Sequence, residues 1–272
     1  MLRTVINPPK RVSLPPLREL WDARDVLTQF GKRDVLLRYR QTFVGVAWVL
    51  IQPLAAAGIF SIVFGQVAQL PSGGVPYFIF TLVGMMAWNL FNGVTSRASG
   101  SLVANQALVS RVYFPRILVP LSTALSAMLD FLVAFGLYIV MMFVFGLGVG
   151  WQVLLVPVWA LIALMMAIGV GLAAAALAVS FRDVNYALPW VLQILLYATP
   201  IAYALDAAPA SLRWFFEINP LTWLMEAFRW SLLDLAMPPL WQMIGVVGAG
   251  IIALLGGTLV FQSLERGFAD VI

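Results

Sequence analysis

The sequence contains no cysteine and no histidine. Without cysteine there is no disulfide, no thiolate nucleophile and no thiolate metal site. Without histidine the commonest metal ligand is missing, together with the usual proton shuttle near neutral pH. These two absences argue against an enzyme built on such residues, and we expect no metal site in this chain.

Charge is also scarce. Asp, Glu, Lys and Arg make up 10% of the 272 residues, whereas soluble domains carry about 25%. Residues 41–96 contain no charged side chain at all, and 62% of the whole chain is apolar. A soluble domain of this size would not bury such a stretch, so the composition predicts a polytopic membrane protein.

Long apolar stretches supply the predicted architecture. A helix that spans a bilayer needs about 20 mostly apolar residues, and six stretches qualify. The sequence therefore predicts an all-α fold with six transmembrane helices in a domain covering 43–272. The six predicted spans are 43–68, 77–100, 117–146, 152–180, 185–205 and 240–263.

The N-terminal region differs from the rest. Residues 1–16 form a basic tail with four prolines, which we expect in the cytoplasm. Within 17–42 the pattern predicts an amphipathic helix that is too charged to span and is suited to the membrane interface. Its apolar arc contains Leu17, Leu20, Trp21, Ala23, Leu27 and Phe30.

Positive charge predicts the orientation. Nine of the 16 Lys and Arg residues lie in the first 40 positions, and the two loops that follow spans two and four also carry arginine. The loops that follow spans one and three carry no charge. Because basic loops stay in the cytoplasm, both termini are expected there.

Residues 206–236 are apolar but carry six charged side chains, which is too many for a lipid-facing span. Asn219 and Pro220 read as a helix cap followed by the first residue of a new helix. We expect two short helices within about 209–236, on the outer side of the membrane. The pattern leaves open whether they lie on the surface or re-enter the membrane.

Six segments, in this order, match one family. They are YRQTFVGVAWVLIQPL (39–54), VPYFIFTLVGMMAWNLF (75–91), SLVANQALVSRVYFPRILVP (101–120), FRDVNYALP (181–189), INPLTWLMEAFRWSLL (218–233) and ERGFAD (265–270). With these segments the chain resembles the membrane subunit, or permease, of ABC exporters for polysaccharides and polyol phosphates. The O-antigen type is the most similar.

The resemblance implies a transport subunit of the bacterial inner membrane that moves a lipid-linked polysaccharide. Such subunits form a homodimer with two copies of a separate ATPase chain, which binds ATP and Mg. The chain itself contains no G-x-x-x-x-G-K-S/T phosphate loop, and Gly31-Lys32 stands without that glycine pattern. We therefore expect no catalytic residues and no cofactor in this chain. Membrane lipid is an expected partner, and nucleic acid is not.

Two alternatives remain open at this point. The first is an ABC exporter permease for another substrate, such as teichoic acid, capsule, a drug or a lipid. The second is a secondary transporter, which would usually carry several ionisable residues inside the membrane. Asp130 is the one acid deep in a predicted span, so this alternative is weaker.

The resemblance and the charge pattern assign candidate sites. Arg38, Arg40 and Arg97 flank the inner membrane surface. We expect some of them to bind the pyrophosphate headgroup of the substrate. The alternative is that they only snorkel to the interface and set the topology. Aromatic side chains along the spans provide stacking surfaces for a sliding sugar chain, although aromatics also gather at membrane interfaces. The predicted pathway residues are Phe60, Trp88, Phe91, Tyr197 and Tyr203.

Two further sets complete the predictions. The segments 101–116 and 181–185 resemble the coupling segments that contact the ATPase. Their predicted contact residues are Arg111, Tyr113, Phe114, Arg116, Arg182 and Asp183. Asp130 lies near the middle of the third span and needs hydrogen-bond partners there, for which we expect Asn89 and Asn92.

Overall fold

The computed structural model describes residues 17–40, 47–112, 114–148, 150–265 and 267–268, and over these residues it is helical and contains no strand. The side chains of 17–19, 37–40 and 49 lie outside the description. The helices are α1 (Leu17–Asp22), α2 (Arg24–Arg40), α3 (Ala47–Phe60), α4 (Tyr77–Ala104), α5 (Gln106–Val109), α6 (Leu118–Val144), α7 (Val156–Ser180), α8 (Val184–Ala198), α9 (Arg213–Ile218), α10 (Pro220–Leu233) and α11 (Leu240–Glu265).

Among the described residues, five helical segments are long and apolar enough to cross a membrane. They are Leu50–Val67, Tyr77–Ala104, Leu118–Val144, Trp151–Ser180 and Leu240–Glu265. Their bounds lie within a few residues of five predicted spans, except that the first prediction began at 43, outside the described residues. The first segment joins α3 to a π-helical stretch, Ser61–Val67, which the sequence did not predict.

The sixth predicted span, 185–205, is not one continuous helix. The helix here, α8, ends at Ala198, and Thr199 has extended backbone angles. The cause is Pro200, because the residue before a proline is driven out of the helical region. At 1.5 Å per residue the 15 residues of α8 reach about 22 Å, which is short of the ~30 Å hydrocarbon core.

The core of the molecule is built around α4 and α7. Helix α4 packs between α6 and α7, and α7 packs in turn on α11. Small residues allow the helices to approach closely, as they do in other membrane proteins. A Cβ atom added at Gly257 of α11 would lie 1.9 Å from the carbonyl oxygen of Gly169 in α7. This pair of glycines therefore sets the distance between the two helices.

Helix α10 is buried within the bundle. The side-chain oxygen of Asn219 accepts a hydrogen bond from the amide of Leu221 at 3.0 Å, and Pro220 is the first helical residue. Helix α10 then packs against α4, α7 and α11. Helix α10 is therefore covered by protein on several sides, and it does not lie apart from the bundle. Spacing of one helical turn predicts that Glu226 and Arg229 pair, and they do so at 2.9 Å. The expectation that this pair is exposed is wrong for Arg229, because that residue is only 1% exposed.

At the opposite end of the bundle, α2 packs on α6. Phe30 is buried and lies 5.8 Å from the ring of Phe114, within an apolar cluster that also includes Leu102, Val179 and Phe261. Trp21, predicted on the same apolar arc as Phe30, is 69% exposed. The amphipathic segment therefore packs on the bundle through Phe30, with Leu20 and Val26 against the same cluster, and leaves Trp21 outside.

Candidate functional site

A polar cavity of about 370 Å³ lies between α3, α4 and α6. It has the size of a small-molecule site, which is typically about 300–1,000 Å³. Its polar lining comes from Gln52, Asn89, Asn92, Arg97 and Asp130. Its apolar lining comes from Pro53, Ala56, Met85, Met86, Leu90, Ala127, Phe131 and Ala134, with Gly93 at its edge.

An ion pair forms one wall of the cavity. Arg97 of α4 donates a hydrogen bond from Nη2 to Oδ2 of Asp130 in α6 at 3.1 Å, and both side chains are partly buried. A second bond runs from Arg97 Nη1 to the hydroxyl of Ser126, also at 3.1 Å. The two charges neutralise each other at a depth where an isolated charge would be costly.

Gly93 shapes the position of Arg97. The Nε atom of Arg97 donates to the carbonyl oxygen of Gly93 at 2.7 Å, one turn earlier on α4. A Cβ atom at position 93 would come within 2.7 Å of Arg97 Nη2. Side chains on a helix lean toward its N-terminus, so the absent side chain at 93 lets the guanidinium lie back along α4 and reach Asp130.

Asp34 on α2 adds a carboxyl group at the end of the bundle where α2 packs. Burial raises the pKa of the Asp34 carboxyl, and the neighbouring guanidinium groups of Arg33 and Arg97 partly offset that rise. Arg33 also donates a hydrogen bond to the side-chain oxygen of Asn105, which caps the end of α4. Helix α2 is thus tied electrostatically to the same end of α4 that carries Arg97.

The predicted anchor residues lie together. Asp130, Asn89 and Asn92 all line the cavity, as their similar depth implied. Asp130 accepts a hydrogen bond from Arg97, a partner that the sequence did not suggest beside the two asparagines. Arg97 was assigned to a different site because its place near the C-terminal end of α4 does not reveal that its side chain turns back into the bundle.

The predicted pathway aromatics fall into two groups. Trp88 and Phe91 are buried in the core and lie 5.8 Å apart, because α4 is the central helix. Phe60, Tyr197 and Tyr203 line a second, small cavity of about 20 Å³ near the end of α8. Tyr203 donates a hydrogen bond to the carbonyl oxygen of Tyr197, which fixes the chain after that helix.

The predicted pyrophosphate ligands are only partly described. Arg38 and Arg40 lie at the C-terminal end of α2, and their side chains lie outside the described residues. Arg97 is on α4 and engages Asp130, Ser126 and Gly93. The predicted grouping of these three side chains therefore lies outside the described residues.

The predicted ATPase contacts gather at the α2 end of the bundle. Arg111, Arg182 and Asp183 are exposed there, and Tyr113 lies outside the described residues. Phe114 packs against Phe30. Arg116 donates a hydrogen bond to the carbonyl oxygen of Glu265 at 3.2 Å and so ties the start of α6 to the end of α11.

Two functional features were missed by sequence reasoning. Gln52 lines the polar cavity, and the only signal for it was a polar residue beside Pro53 in an apolar span. Arg229 is buried, and its guanidinium carbon lies 3.9 Å from the centre of the Phe80 ring. Among the described residues, no group of three or more acidic, histidine or cysteine side chains comes together that could hold a metal ion.

Comparison with known proteins gives consistent relatives. A family model described as ABC-2 type transporter matches residues 26–233. An O-antigen export system permease protein RfbA of Klebsiella pneumoniae is 27% identical over 253 residues, covering 91% of this chain and 95% of the relative. A protein of the same name from Myxococcus xanthus is 25% identical over 260 residues, covering 94% and 98%. The polysialic acid transport protein KpsM of Escherichia coli is 25% identical over 203 residues, covering 72% and 77%.

Proposed function

This chain belongs to the ABC-2 type transporter family, and we propose that it is the membrane subunit of an ATP-driven exporter for a lipid-linked, O-antigen-like polysaccharide. The observation that carries the proposal is the extent of the similarity. The O-antigen export permeases match the chain almost from end to end, whereas the match to the polysialic acid transport protein covers a smaller share.

The polar cavity is in keeping with a hydrophilic cargo. Amide groups and a neutral ion pair line a space between three membrane helices. A drug or lipid pump would gain little from such a lining, because an apolar ligand leaves buried polar groups without partners. Teichoic acid and capsular polymers share the polyhydroxylated chemistry, and they are the nearest alternatives.

Energy for export comes, in this proposal, from a separate ATPase. Two copies of the permease assemble with two copies of the ATPase, which binds ATP and Mg. The exposed residues Arg111, Arg182 and Asp183 contact the ATPase, with Tyr113 and Phe114 beside them. Arg116 supports this surface from behind, because its guanidinium already engages the end of α11.

The proposed topology has six crossings in the bacterial inner membrane, with both termini in the cytoplasm. Five crossings are the long helices. The remaining one combines α8 with the non-helical segment 199–204 and returns to the outer surface. Residues 206–218 then lie outside, and α10 dips back into the bundle before α11.

A single cysteine tests this orientation. Trp214 in α9 is 61% exposed, and the chain contains no native cysteine. Trp214→Cys should react in intact cells with a thiol reagent that does not cross the membrane. Labelling that occurs only in inverted vesicles would overturn the topology.

The path of the substrate starts, in this proposal, at the junction of α2 and α3. Arg38 and Arg40 bind the pyrophosphate headgroup, since guanidinium forks suit phosphate oxygens. Arg97 forms an ion pair with Asp130, and the pair as a whole adds no net charge at this site. Phe60, Tyr197 and Tyr203 then provide stacking surfaces further out, and Trp88 and Phe91 support them through α4.

The decisive experiment is reconstitution. The permease is purified with its ATPase in lipid nanodiscs, and ATP hydrolysis is measured with and without the lipid-linked polymer from the same cell. The polymer should stimulate hydrolysis, and Arg38→Ala with Arg40→Ala should abolish the stimulation while the ATPase remains bound. Stimulation by apolar drugs instead of the polymer would reject the proposal.

A further inference from the structure

We propose that the cavity between α3, α4 and α6 is a sugar-binding subsite, in which Gln52, Asn89 and Asn92 hold a pyranose ring of the polymer against the Arg97–Asp130 pair. This inference rests on the proposed function and deepens it. It assigns a binding role to Asn89 and Asn92, which the sequence suggested only as partners of Asp130, and to Gln52, for which the sequence suggested no role.

The cavity extends from the inner part of the membrane to about its middle. At 1.5 Å per residue, Arg97 lies about 10 Å from the end of α4 at Ala104, and Asn89 lies about 22 Å from it. Asp130 lies about 18 Å from the start of α6, which is at the same end of the bundle. A sugar bound here has left the inner surface and has reached about the middle of the membrane.

The mouth of the cavity is polar where lipid would be apolar. The side chains of Gln52 and Asn89 line it and are exposed on the surface of the single chain. An amide group that faces hydrocarbon has no hydrogen-bond partner, which costs several kcal/mol. The mouth therefore faces a polar filling, and a hydrated or sugar-filled space satisfies that need.

The charge balance of the cavity selects the chemical class of the ligand. Arg97 and Asp130 form an ion pair that carries no net charge as a unit, which favours an uncharged ligand over phosphate or a metal ion. Three amide side chains offer both donors and acceptors, as hydroxyl groups require. Met85, Met86 and Phe131 provide the apolar lining that the C–H face of a sugar ring needs. A neutral polyhydroxylated ring meets all of these conditions.

The lining is also pre-organised. Three hydrogen bonds from Arg97, to Gly93, Ser126 and Asp130, fix its guanidinium. Phe131 is held by stacking on Phe135 at 6.3 Å and by an edge contact with Phe228 at 6.1 Å. Side chains that are already fixed lose little entropy when a ligand binds. A weak and repeated contact with a sugar ring therefore benefits from this rigid lining.

The test removes the amide groups one at a time. Gln52→Leu and Asn89→Leu keep a similar volume but lose the hydrogen bonds. Each should raise the polymer concentration for half-maximal ATPase stimulation about two- to tenfold, the range expected for one lost hydrogen bond. Gln66→Leu is the matched control, because Gln66 is an exposed glutamine on the π-helical continuation of α3 and does not line the cavity.

A labelling experiment tests binding without relying on ATP hydrolysis. Asn89→Cys provides the only thiol in the permease. In nanodiscs it should react with a small, water-soluble thiol reagent, and free polysaccharide released from the lipid carrier should slow that reaction. Reaction at an unchanged rate with polysaccharide present, or no reaction at all, would overturn the subsite.

The outcomes separate this inference from the proposed function. If the polymer stimulates the wild-type complex but Gln52→Leu and Asn89→Leu behave like Gln66→Leu, the exporter stands and the subsite is wrong. If the polymer does not stimulate the wild-type complex, the proposed function fails, and protection of Asn89→Cys by free polysaccharide still decides whether the cavity binds sugar.

Discussion

At the scale of single residues, Arg229 joins three parts of the molecule. Its Nη1 donates to Glu226 at 2.9 Å, and its Nη2 donates to the carbonyl oxygen of Ile201 at 2.8 Å. Its guanidinium also lies over the ring of Phe80 in α4. Helix α10, the segment after α8 and helix α4 therefore meet at one buried cation.

Replacing this cation should be costly. Arg229→Met leaves Glu226 without its cation and the carbonyl of Ile201 without its donor. Removing one partner of a buried ion pair typically costs about 3–5 kcal/mol, so the melting temperature of the purified complex should fall clearly. The control is Arg213→Met, whose exposed pairs with Asp206 and Glu217 are worth at most about 1 kcal/mol. Equal melting temperatures for both variants would contradict this role of Arg229.

The Arg97–Asp130 pair makes a second prediction at this scale. Asp130→Leu removes the carboxylate to which Arg97 donates, and Arg97→Met removes the hydrogen bond that Asp130 accepts from it. Each should destabilise the complex by about 1.5–3 kcal/mol, the typical contribution of a hydrogen bond to a charged group. The double variant should lose less than the sum, with a coupling of about 0.5–3 kcal/mol in a double-mutant cycle. Strictly additive losses would show that the two side chains do not support each other.

Asp130→Asn separates anchoring from proton transfer. The amide keeps an acceptor oxygen for Arg97 but cannot titrate, so export should survive in Asp130→Asn and fail in Asp130→Leu. If Asp130→Asn inserts, binds the ATPase and still blocks export, a charged and mechanistic role must replace the anchoring one.

Residue contacts of this kind are the least accessible to sequence reasoning. That Asp130 lies at mid-depth follows from counting residues along a helix. That its partner is Arg97 depends on the rotation of α4 against α6 and on the missing side chain at Gly93. The burial of Arg229 could not be predicted, because charged residues in a segment such as 206–236 normally indicate exposure, whereas here Phe80 and Ile201 cover the guanidinium.

At the scale of helices, α7 and α11 approach each other closely. We therefore expect alanine substitutions at the adjacent residues Gly256 and Gly257 to change stability in opposite directions. A methyl group at Gly257 would collide with the backbone of Gly169, whereas one at Gly256 meets nothing within 4 Å. Gly257→Ala should therefore destabilise by about 1–3 kcal/mol through overpacking. Gly256→Ala should be neutral or stabilise by up to about 1 kcal/mol, because alanine favours helix. Thermal unfolding in detergent measures both, and equal shifts would rule out the contact.

The bounds of the helices were predicted from the sequence better than the contacts between them. Long apolar runs ended by charged or proline-containing segments define α4, α6, α7 and α11 to within a few residues of the prediction. The end of α8 at Ala198 could have been read from Pro200, but the apolar residues that follow extended the predicted span. The π-helical stretch Ser61–Val67 has no sequence signal, since its apolar residues suit an α-helix equally well.

At the scale of the whole molecule, the helices differ in how firmly they are held. Helix α8 leaves Tyr186, Trp190, Ile194 and Tyr197 largely exposed, and α3 is likewise shallowly buried. Helices α4 and α7 are enclosed by their neighbours. The sites proposed for the polymer lie where a loosely held helix meets a firmly held one, α3 against α4 and α8 against the core.

The proposed ATPase surface makes the prediction at this scale. Arg111→Glu together with Arg182→Glu reverses two exposed charges on the α2 end of the bundle. Like charges across an interface cost several kcal/mol, so the amount of ATPase that co-purifies should fall about tenfold or more. Arg213→Glu is the control, since Arg213 lies at the other end of the bundle. Unchanged co-purification of the double variant would exclude these arginines from the interface.

The central position of α4 has a consequence for how the chain is made. It is the least apolar of the five long helices, and 78% of its most apolar stretch is buried, more than in any of the other four. Three helices that cover it, α6, α7 and α10, are all translated after it. A newly made α4 therefore reaches the membrane before these neighbours have been synthesised. We expect its release into lipid to wait until α7 emerges from the ribosome, with the insertion machinery holding the first half of the chain until then.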